Sequence, residues 1–274
     1  MLDDDTMCYR HNDRVAAVSC QRCERPICAQ CMNQASVGFH CPECARSGAQ
    51  KVIPARTLMG RRAAPVTVGL IVANLAVFLV QQSSNTGSGQ SVTEWGVLYG
   101  PAVADGEWWR IVTSGFLHAS LIHVGLNMYA LWNFGPVLEQ ALGRVRYGLT
   151  YLAGLLAGAM AVLAFSPDTP TLGASGAVLG LAGALGAVLW SRGIKPHQTS
   201  LGGIFLVNLA LPILIPQISF WGHFGGIAGG FAAGWLLSWL PARYRQSTTT
   251  ALGATAALCL VLFAVAVFSA TAGI

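Results

Sequence analysis

Seven long apolar segments after residue 64 most strongly limit what this chain can fold into. Each is close to the ~20 residues that a helix needs to cross a bilayer. Only 10% of all residues are charged, against about a quarter in soluble domains. The sequence therefore predicts an all-α polytopic membrane protein. Its spans are expected at about 65–80, 121–138, 147–165, 174–190, 201–215, 222–240 and 251–270.

The basic residues predict how these spans are oriented. Of the 16 basic residues, only Arg110 falls in a loop that is expected to be external. The others lie in the N-terminal region or in loops that would face the cytoplasm, as the positive-inside rule requires. We therefore expect a multi-pass plasma-membrane protein with a cytoplasmic N-terminus and an extracytoplasmic C-terminus. The apolar spans make the lipid bilayer a predicted partner. Because the location of the basic residues is explained by membrane topology, the net charge of +5 does not indicate binding to nucleic acid.

Several polar side chains lie at the same end of the second, fourth and sixth predicted spans. These three spans run in the same direction, so their N-terminal ends share the extracytoplasmic side of the membrane. Polar groups inside a membrane are costly and usually mark a function. The residues in question are His118, His123, Asn127, Ser175 and His223.

Ser175 and His223 are of the types that perform nucleophilic catalysis. A serine hydroxyl needs a neighbouring base to take its proton, and a neutral histidine can do so. Since no acidic residue lies in the apolar part of the predicted spans, a dyad is expected rather than a triad. His123, the Asn127 amide and the Ser175 N–H would stabilise the oxyanion. Helix packing or interhelical hydrogen bonding is the alternative for each residue alone, but neither explains their common level.

Glycines next to these residues predict close helix packing. Gly176 and Gly180 form a ridge on the fourth span, and Gly226 and Gly230 form another on the sixth. Such ridges let two backbones approach closely. Here that approach would bring Ser175 within hydrogen-bonding distance of His223.

Five motifs in this region resemble the rhomboid family of intramembrane serine proteases. Each motif is weak alone, but their order along residues 65–240 is specific. The motifs are GxSG at 173–176, HxxGxxxG at 223–230, HxxxxHxxxN at 118–127, WR at 109–110 and GxxxExxxG at 135–143.

The resemblance implies a six-helix core over 65–240 and one additional C-terminal helix at about 251–270. It also implies that Ser175 is the nucleophile, that His223 is the general base, and that catalysis needs no cofactor. His123 and Asn127 would line the oxyanion hole, whereas His118, Arg110 and Glu139 would be structural. The substrate would be a transmembrane segment of another membrane protein, cut near the extracytoplasmic face.

Leu179 departs from the family pattern, which often has an aromatic residue four positions after the serine. A second hypothesis is therefore a weakly active or inactive relative that binds transmembrane helices as an adaptor or chaperone. An intramembrane metalloprotease would need an HExxH motif, which the sequence lacks. A transporter would usually show internal repeats or charges near mid-membrane, and neither is found.

The first 48 residues contain pairs of metal-ligand residues separated by two positions. Such pairs are typical of zinc sites, and a cytosolic location argues against disulfides. The spacing resembles B-box-type zinc fingers, which implies that pairs one and three share one zinc and pairs two and four the other. Residues 49–64 read as a linker, and a cytosolic protein partner is a further expectation. A single zinc, or His40 as a substitute ligand, is the alternative. The pairs are Cys8/His11, Cys20/Cys23, Cys28/Cys31 and Cys41/Cys44.

Overall fold

A computed structural model describes residues 6–35, 37–48, 64–84, 91–215, 217–244 and 247–272. The chain divides into two compact units, Met1–Gly60 and Arg61–Ile274. Except for Ala64, the predicted linker at 49–64 lies outside the described residues, as do the basic residues in that segment.

The N-terminal unit is built from short strands. Three two-stranded antiparallel sheets pair β1 with β2, β3 with β4, and β5 with β6. Its core consists of Ile27 and five buried cysteines, which is too little apolar surface to hold ~50 residues without cross-links. Its elements are β1 (Met7–Cys8), β2 (His11–Val15), β3 (Val18–Ser19), β4 (Pro26–Ile27), β5 (Asn33–Gln34), β6 (Phe39–His40) and α1 (Pro42–Gly48).

The second unit is helical, which confirms the predicted fold class. A helix covers most of each of the seven predicted apolar segments, and short helices occupy the long loop after the first. A π-helical turn at Trp235–Trp239 links α10 to α11. The helices are α2 (Pro65–Ser84), α3 (Val92–Gly96), α4 (Gly100–Ala104), α5 (Arg110–Thr113), α6 (Leu121–Leu142), α7 (Arg144–Phe165), α8 (Ser175–Ser191), α9 (Ser200–Leu214), α10 (Phe220–Gly234), α11 (Leu240–Tyr244) and α12 (Thr248–Ala272).

Three of the described helices, α2, α7 and α12, are long and apolar enough to cross a membrane. A fourth span arises if Arg110–Phe116 and α6, which meet at a bend of 92°, are counted together. Helices α8 and α9 are apolar but shorter. Most of α8 is buried by other helices, and a segment surrounded by protein need not match the thickness of the bilayer.

Glycine contacts bring α8 and α10 together. A methyl group on Gly226 would lie 2.2 Å from the Gly176 carbonyl oxygen, and one on Gly230 would lie 1.9 Å from the Gly180 carbonyl oxygen. Real side chains do not approach so closely, so only glycine permits this helix separation. The two glycine ridges identified in the sequence are thus in direct contact.

Glu139 connects α6 to the start of α2. Its carboxylate accepts hydrogen bonds from the backbone N–H groups of Val66 and Thr67 and from the Thr67 hydroxyl, at 2.8–3.1 Å. The first N–H groups of a helix have no partner within it, and a negative charge at this end is favourable. Glu139 is 4% exposed, and these three donors provide hydrogen bonds to its buried oxygens.

Candidate active site

Ser175 is the first residue of α8. The preceding Gly173 has φ +133°, a backbone conformation that favours glycine, and its N–H donates to the Ser114 carbonyl at 2.9 Å. The turn therefore places Ser175 at the helix N-terminus, where the backbone dipoles favour negative charge. Ser175 is partly exposed.

His223 lies within hydrogen-bonding distance of Ser175. The two residues come from α10 and α8, and His223 Nε2 is 3.0 Å from Ser175 Oγ. His223 is 6% exposed, so its ring is held by the surrounding helices.

The second ring nitrogen of His223 has a main-chain partner. His223 Nδ1 lies 2.9 Å from the carbonyl oxygen of Asn208 in α9. A carbonyl only accepts, so Nδ1 carries the hydrogen, and Nε2 of the neutral ring is the acceptor for the serine O–H. Sequence reasoning missed Asn208, because a main-chain acceptor is not tied to a residue type.

His123 faces the same space from α6. Its Nδ1 accepts the Ala119 N–H at 3.4 Å, so Nε2 of the neutral ring carries the hydrogen. A methyl group on Gly173 would lie 3.0 Å from this Nε2 and 3.7 Å from Ser175 Oγ. The absent side chain of Gly173 therefore leaves room between a hydrogen-bond donor and the serine hydroxyl.

Asn127, which the sequence predicts as an oxyanion-hole residue, makes a hydrogen bond within its own helix. Its Nδ2 donates to the His123 carbonyl at 3.0 Å, one turn earlier in α6. The amide is 6% exposed and holds the helix that carries His123. One N–H of the Asn127 amide is used in this contact, which leaves one for a ligand.

His118 and Gln81 order the chain before α6. The Gln81 amide donates to the His118 carbonyl at 2.9 Å and accepts the His118 N–H at 3.0 Å. The buried His118 ring meets His123 edge-on, with centroids 5.1 Å apart. Sequence reasoning missed Gln81, and the available signal was a glutamine next to the end of an apolar segment.

Arg110 organises the loop between α2 and α6. Its guanidinium donates to the carbonyls of Glu94 and Val97 at 2.6 and 2.9 Å, and it pairs with the Glu107 carboxylate. Arg110 is 6% exposed, so it joins the short helices from inside the loop.

Leu179 is one turn after Ser175 in α8 and is 5% exposed. The side chain at which the sequence departs from the family pattern is thus buried among the packed helices.

Two groups of cysteine and histidine side chains in the N-terminal unit have the composition of metal sites. Within each group the ligand atoms lie within 4.8 Å of one another. His40 belongs to neither group. The groups are Cys8, His11, Cys28 and Cys31, and Cys20, Cys23, Cys41 and Cys44.

The spacing of these atoms fits a tetrahedral ion. Zn–S and Zn–N bonds of about 2.3 and 2.0–2.1 Å imply ligand atoms about 3.6–3.8 Å apart. His11 Nδ1 lies 3.4–3.9 Å from the sulfurs of Cys8, Cys28 and Cys31, and the sulfurs of Cys23 and Cys41 are 3.7 Å apart. These residues could therefore hold metal ions.

One cysteine in each group has a lowered pKa, whereas burial and the neighbouring thiols raise the pKa of Cys31 to about 11. Burial raises the pKa of Cys8 and Cys20, but nearby backbone N–H donors outweigh burial and lower each pKa to about 6. The Cys41 N–H, for example, donates to Cys20 Sγ at 3.2 Å. Metal binding requires the deprotonated thiolate, so these donors favour metal binding by Cys8 and Cys20.

Comparison with known proteins adds an independent observation. A family model described as "Rhomboid domain" matches residues 105–240. The chain is 33% identical to "Rhomboid protease GluP" of Bacillus subtilis, over 56% of this chain and 31% of the relative. It is 34% identical to "RHOMBOID-like protein 6, mitochondrial" of Arabidopsis thaliana, over 51% of this chain and 47% of the relative. It is 32% identical to "Putative rhomboid protease YdcA" of Bacillus subtilis, over 47% of this chain and 67% of the relative.

The matched segments cover less than half of the first two relatives, and about two thirds of the third. The family model covers α5 to α10 together with Ser175 and His223, whereas the N-terminal unit and α12 lie outside it.

Proposed function

The chain belongs to the rhomboid family, and from this premise we propose that it is an intramembrane serine protease. Ser175 is the nucleophile and His223 the general base. The observation that carries the proposal is the 3.0 Å contact between Ser175 Oγ and His223 Nε2, with Nδ1 held by a carbonyl. This arrangement leaves the Nε2 lone pair directed at the serine hydroxyl.

The reaction begins with proton transfer from Ser175 to His223. As the serine oxygen bonds to the substrate carbonyl carbon, its proton passes to Nε2 and the carbonyl becomes an oxyanion. His223 then returns the proton to the leaving amine, and an acyl-serine remains. A water molecule, deprotonated by the same nitrogen, releases the new carboxylate and restores the hydroxyl.

The oxyanion would be stabilised from more than one side. His123 supplies its Nε2–H, and Ser175 supplies its own backbone N–H at the start of α8. Donors that already point at the developing charge need no reorganisation during the reaction. The free N–H of the Asn127 amide would add a third contact.

The substrate would be a transmembrane helix of another membrane protein. A bond can be cut only where the substrate backbone is accessible to Ser175, which requires local unwinding of its helix. The polar residues of the site lie at the N-terminal ends of α6, α8 and α10. With the basic loops in the cytoplasm, these ends face the extracytoplasmic side of the plasma membrane, and cleavage would occur near that face.

For the N-terminal unit we propose two structural zinc ions, one in each Cys/His group. The thiolate and imidazole ligands suit zinc, and bound zinc would supply the cross-links that the small core lacks. Neither ion takes part in peptide hydrolysis.

The proposal is tested with the full chain in liposomes that contain a model transmembrane substrate. We expect cleavage by the wild type and none by Ser175→Ala or His223→Ala. Ser191→Ala, at the far end of α8, and His197→Ala, at an exposed position, are matched controls that should keep activity.

A fluorophosphonate probe provides a second measurement that needs no known substrate. It should modify Ser175 in the wild type and be absent from Ser175→Ala. Cleavage that persists in Ser175→Ala would refute the mechanism. A chain that binds the transmembrane segment but neither cuts it nor reacts with the probe would instead be an adaptor.

A further inference from the structure

Pro212 in α9 occupies a position that determines what the Asn208 carbonyl can bind. In an α-helix the N–H of a residue donates to the carbonyl four positions earlier, so residue 212 would normally donate to residue 208. Proline has no N–H, and Pro212 lies inside α9. The Asn208 carbonyl therefore has no donor from residue 212, and it accepts His223 Nδ1–H at 2.9 Å instead.

We propose that Pro212 is a positioning residue of the protease, because it keeps the Asn208 carbonyl available to hold His223. The inference rests on the proposed function of Ser175 and His223. It adds α9 to the catalytic apparatus through a main-chain atom, whereas the motifs of the sequence place the active residues on α6, α8 and α10.

The helix around Pro212 remains regular on both sides. The helix runs through Pro212 to Leu214, and the Ile215 N–H closes its last turn by donating to the Leu211 carbonyl at 2.8 Å. The Asn208 side chain has a separate partner, because its Nδ2 donates to the Ile204 carbonyl at 2.9 Å. The contact with His223 is therefore a property of the backbone at 208 and not of the asparagine side chain.

The carbonyl selects one tautomer of His223. A neutral imidazole has one N–H, and only the form with hydrogen on Nδ1 leaves Nε2 free to accept the Ser175 proton. When His223 becomes an imidazolium during the reaction, its bond to the carbonyl becomes charge-assisted and stronger. The contact therefore both orients the base and stabilises the protonated state that the reaction needs.

The experiment restores the missing N–H. In Pro212→Ala, the new N–H competes with His223 for the Asn208 carbonyl. The matched variant carries lactic acid at position 212, which has the alanine side chain but an ester oxygen in place of the N–H. Ile213→Ala is the control for a change of side chain at the adjacent residue, which is 81% exposed.

The readouts are kcat and KM for a model transmembrane substrate and the rate of fluorophosphonate modification of Ser175. A hydrogen bond to a charged group is worth about a factor of ten or more. We therefore expect Pro212→Ala to lower kcat and the modification rate about ten-fold with KM unchanged. The lactic acid variant should recover most of both rates.

The outcomes separate the inference from the proposed function. If the wild type is active and Pro212→Ala equals Ile213→Ala in both rates, Pro212 has no positioning role. The same conclusion follows if the lactic acid variant is as slow as Pro212→Ala, since the N–H would then be irrelevant. A wild-type chain that neither cleaves nor reacts with the probe would overturn the proposed function and, with it, this inference.

Discussion

Gly226→Ala is the substitution whose effect can be worked out most directly from the helix contacts. The added methyl carbon would lie 2.2 Å from the Gly176 carbonyl oxygen and 2.7–2.8 Å from the Gly176 carbonyl and α carbons. Nonbonded carbon contacts are comfortable at about 3.5–4.0 Å. Helices α8 and α10 must therefore separate by about 1 Å, since all three contacting atoms belong to a backbone.

Two opposing terms set the magnitude. Alanine is about 1 kcal/mol better than glycine inside a helix, whereas overpacking costs about 1–3 kcal/mol. The net effect is thus a loss of about 0–2 kcal/mol in the free energy of unfolding. The effect on activity is larger, because Gly226 follows His223 by less than one turn. A misplacement of about 1 Å can cost about a hundred-fold in rate.

The assay compares Gly226→Ala with Gly253→Ala. A methyl group on Gly253, in α12, would have no atom within 4 Å, so this control should be folded and fully active. We expect Gly226→Ala to lower fluorophosphonate modification of Ser175 about a hundred-fold, with a thermal unfolding midpoint that falls by no more than about 8 °C. Equal modification rates in the two variants would refute the argument that the glycine contact sets the distance between Ser175 and His223.

Two further predictions concern stability and metal binding. The two carboxylate oxygens of Glu139 accept three hydrogen bonds from α2. Glu139→Gln replaces one of these oxygens with an NH2 group and removes the negative charge, so we expect a loss of about 1–3 kcal/mol in the free energy of unfolding. Thermal unfolding in detergent should show a lower midpoint than for the exposed control Gln140→Ala, and equal midpoints would contradict the proposed capping role. Metal analysis of the full chain should find two zinc ions. Cys28→Ser should lower this number to one while Cys259→Ser leaves it at two, and an unchanged number in Cys28→Ser would contradict the assignment of that group.

Local patterns in the sequence predicted much of the site. Hydropathy located a helix in every apolar segment, because burial in lipid depends on runs of apolar residues. Ser175 and His223 were identified as a pair because the direction of successive spans places their ends on the same side. The metal-ligand pairs stood out because their spacing is a local property of the chain.

The boundaries and partners of these elements depended on tertiary contacts. The fourth span was predicted from about residue 174, which agrees with the start of α8 at Ser175, but the sixth predicted span is broken by the π-helical turn at Trp235–Trp239. Asn127 was predicted as an oxyanion-hole residue, and the bond of its amide to the preceding turn of its own helix was not foreseen. Gln81 was not singled out, although it holds both backbone groups of His118.

The sequence by itself determined the membrane helices, the membership of the rhomboid family and the residue types that carry chemistry. Only the tertiary structure decided that Gly226 meets Gly176, that His223 reaches Ser175 at 3.0 Å, and that a carbonyl of α9 contacts His223 Nδ1. The physical reason is that hydropathy and motifs depend on neighbours along the chain. The register between two helices depends instead on how their side chains and backbones pack against each other. A main-chain carbonyl is present at every residue, so the residue type does not reveal which carbonyl will contact a histidine. The Asn208 carbonyl lacks its usual helical donor because the residue four positions later is a proline.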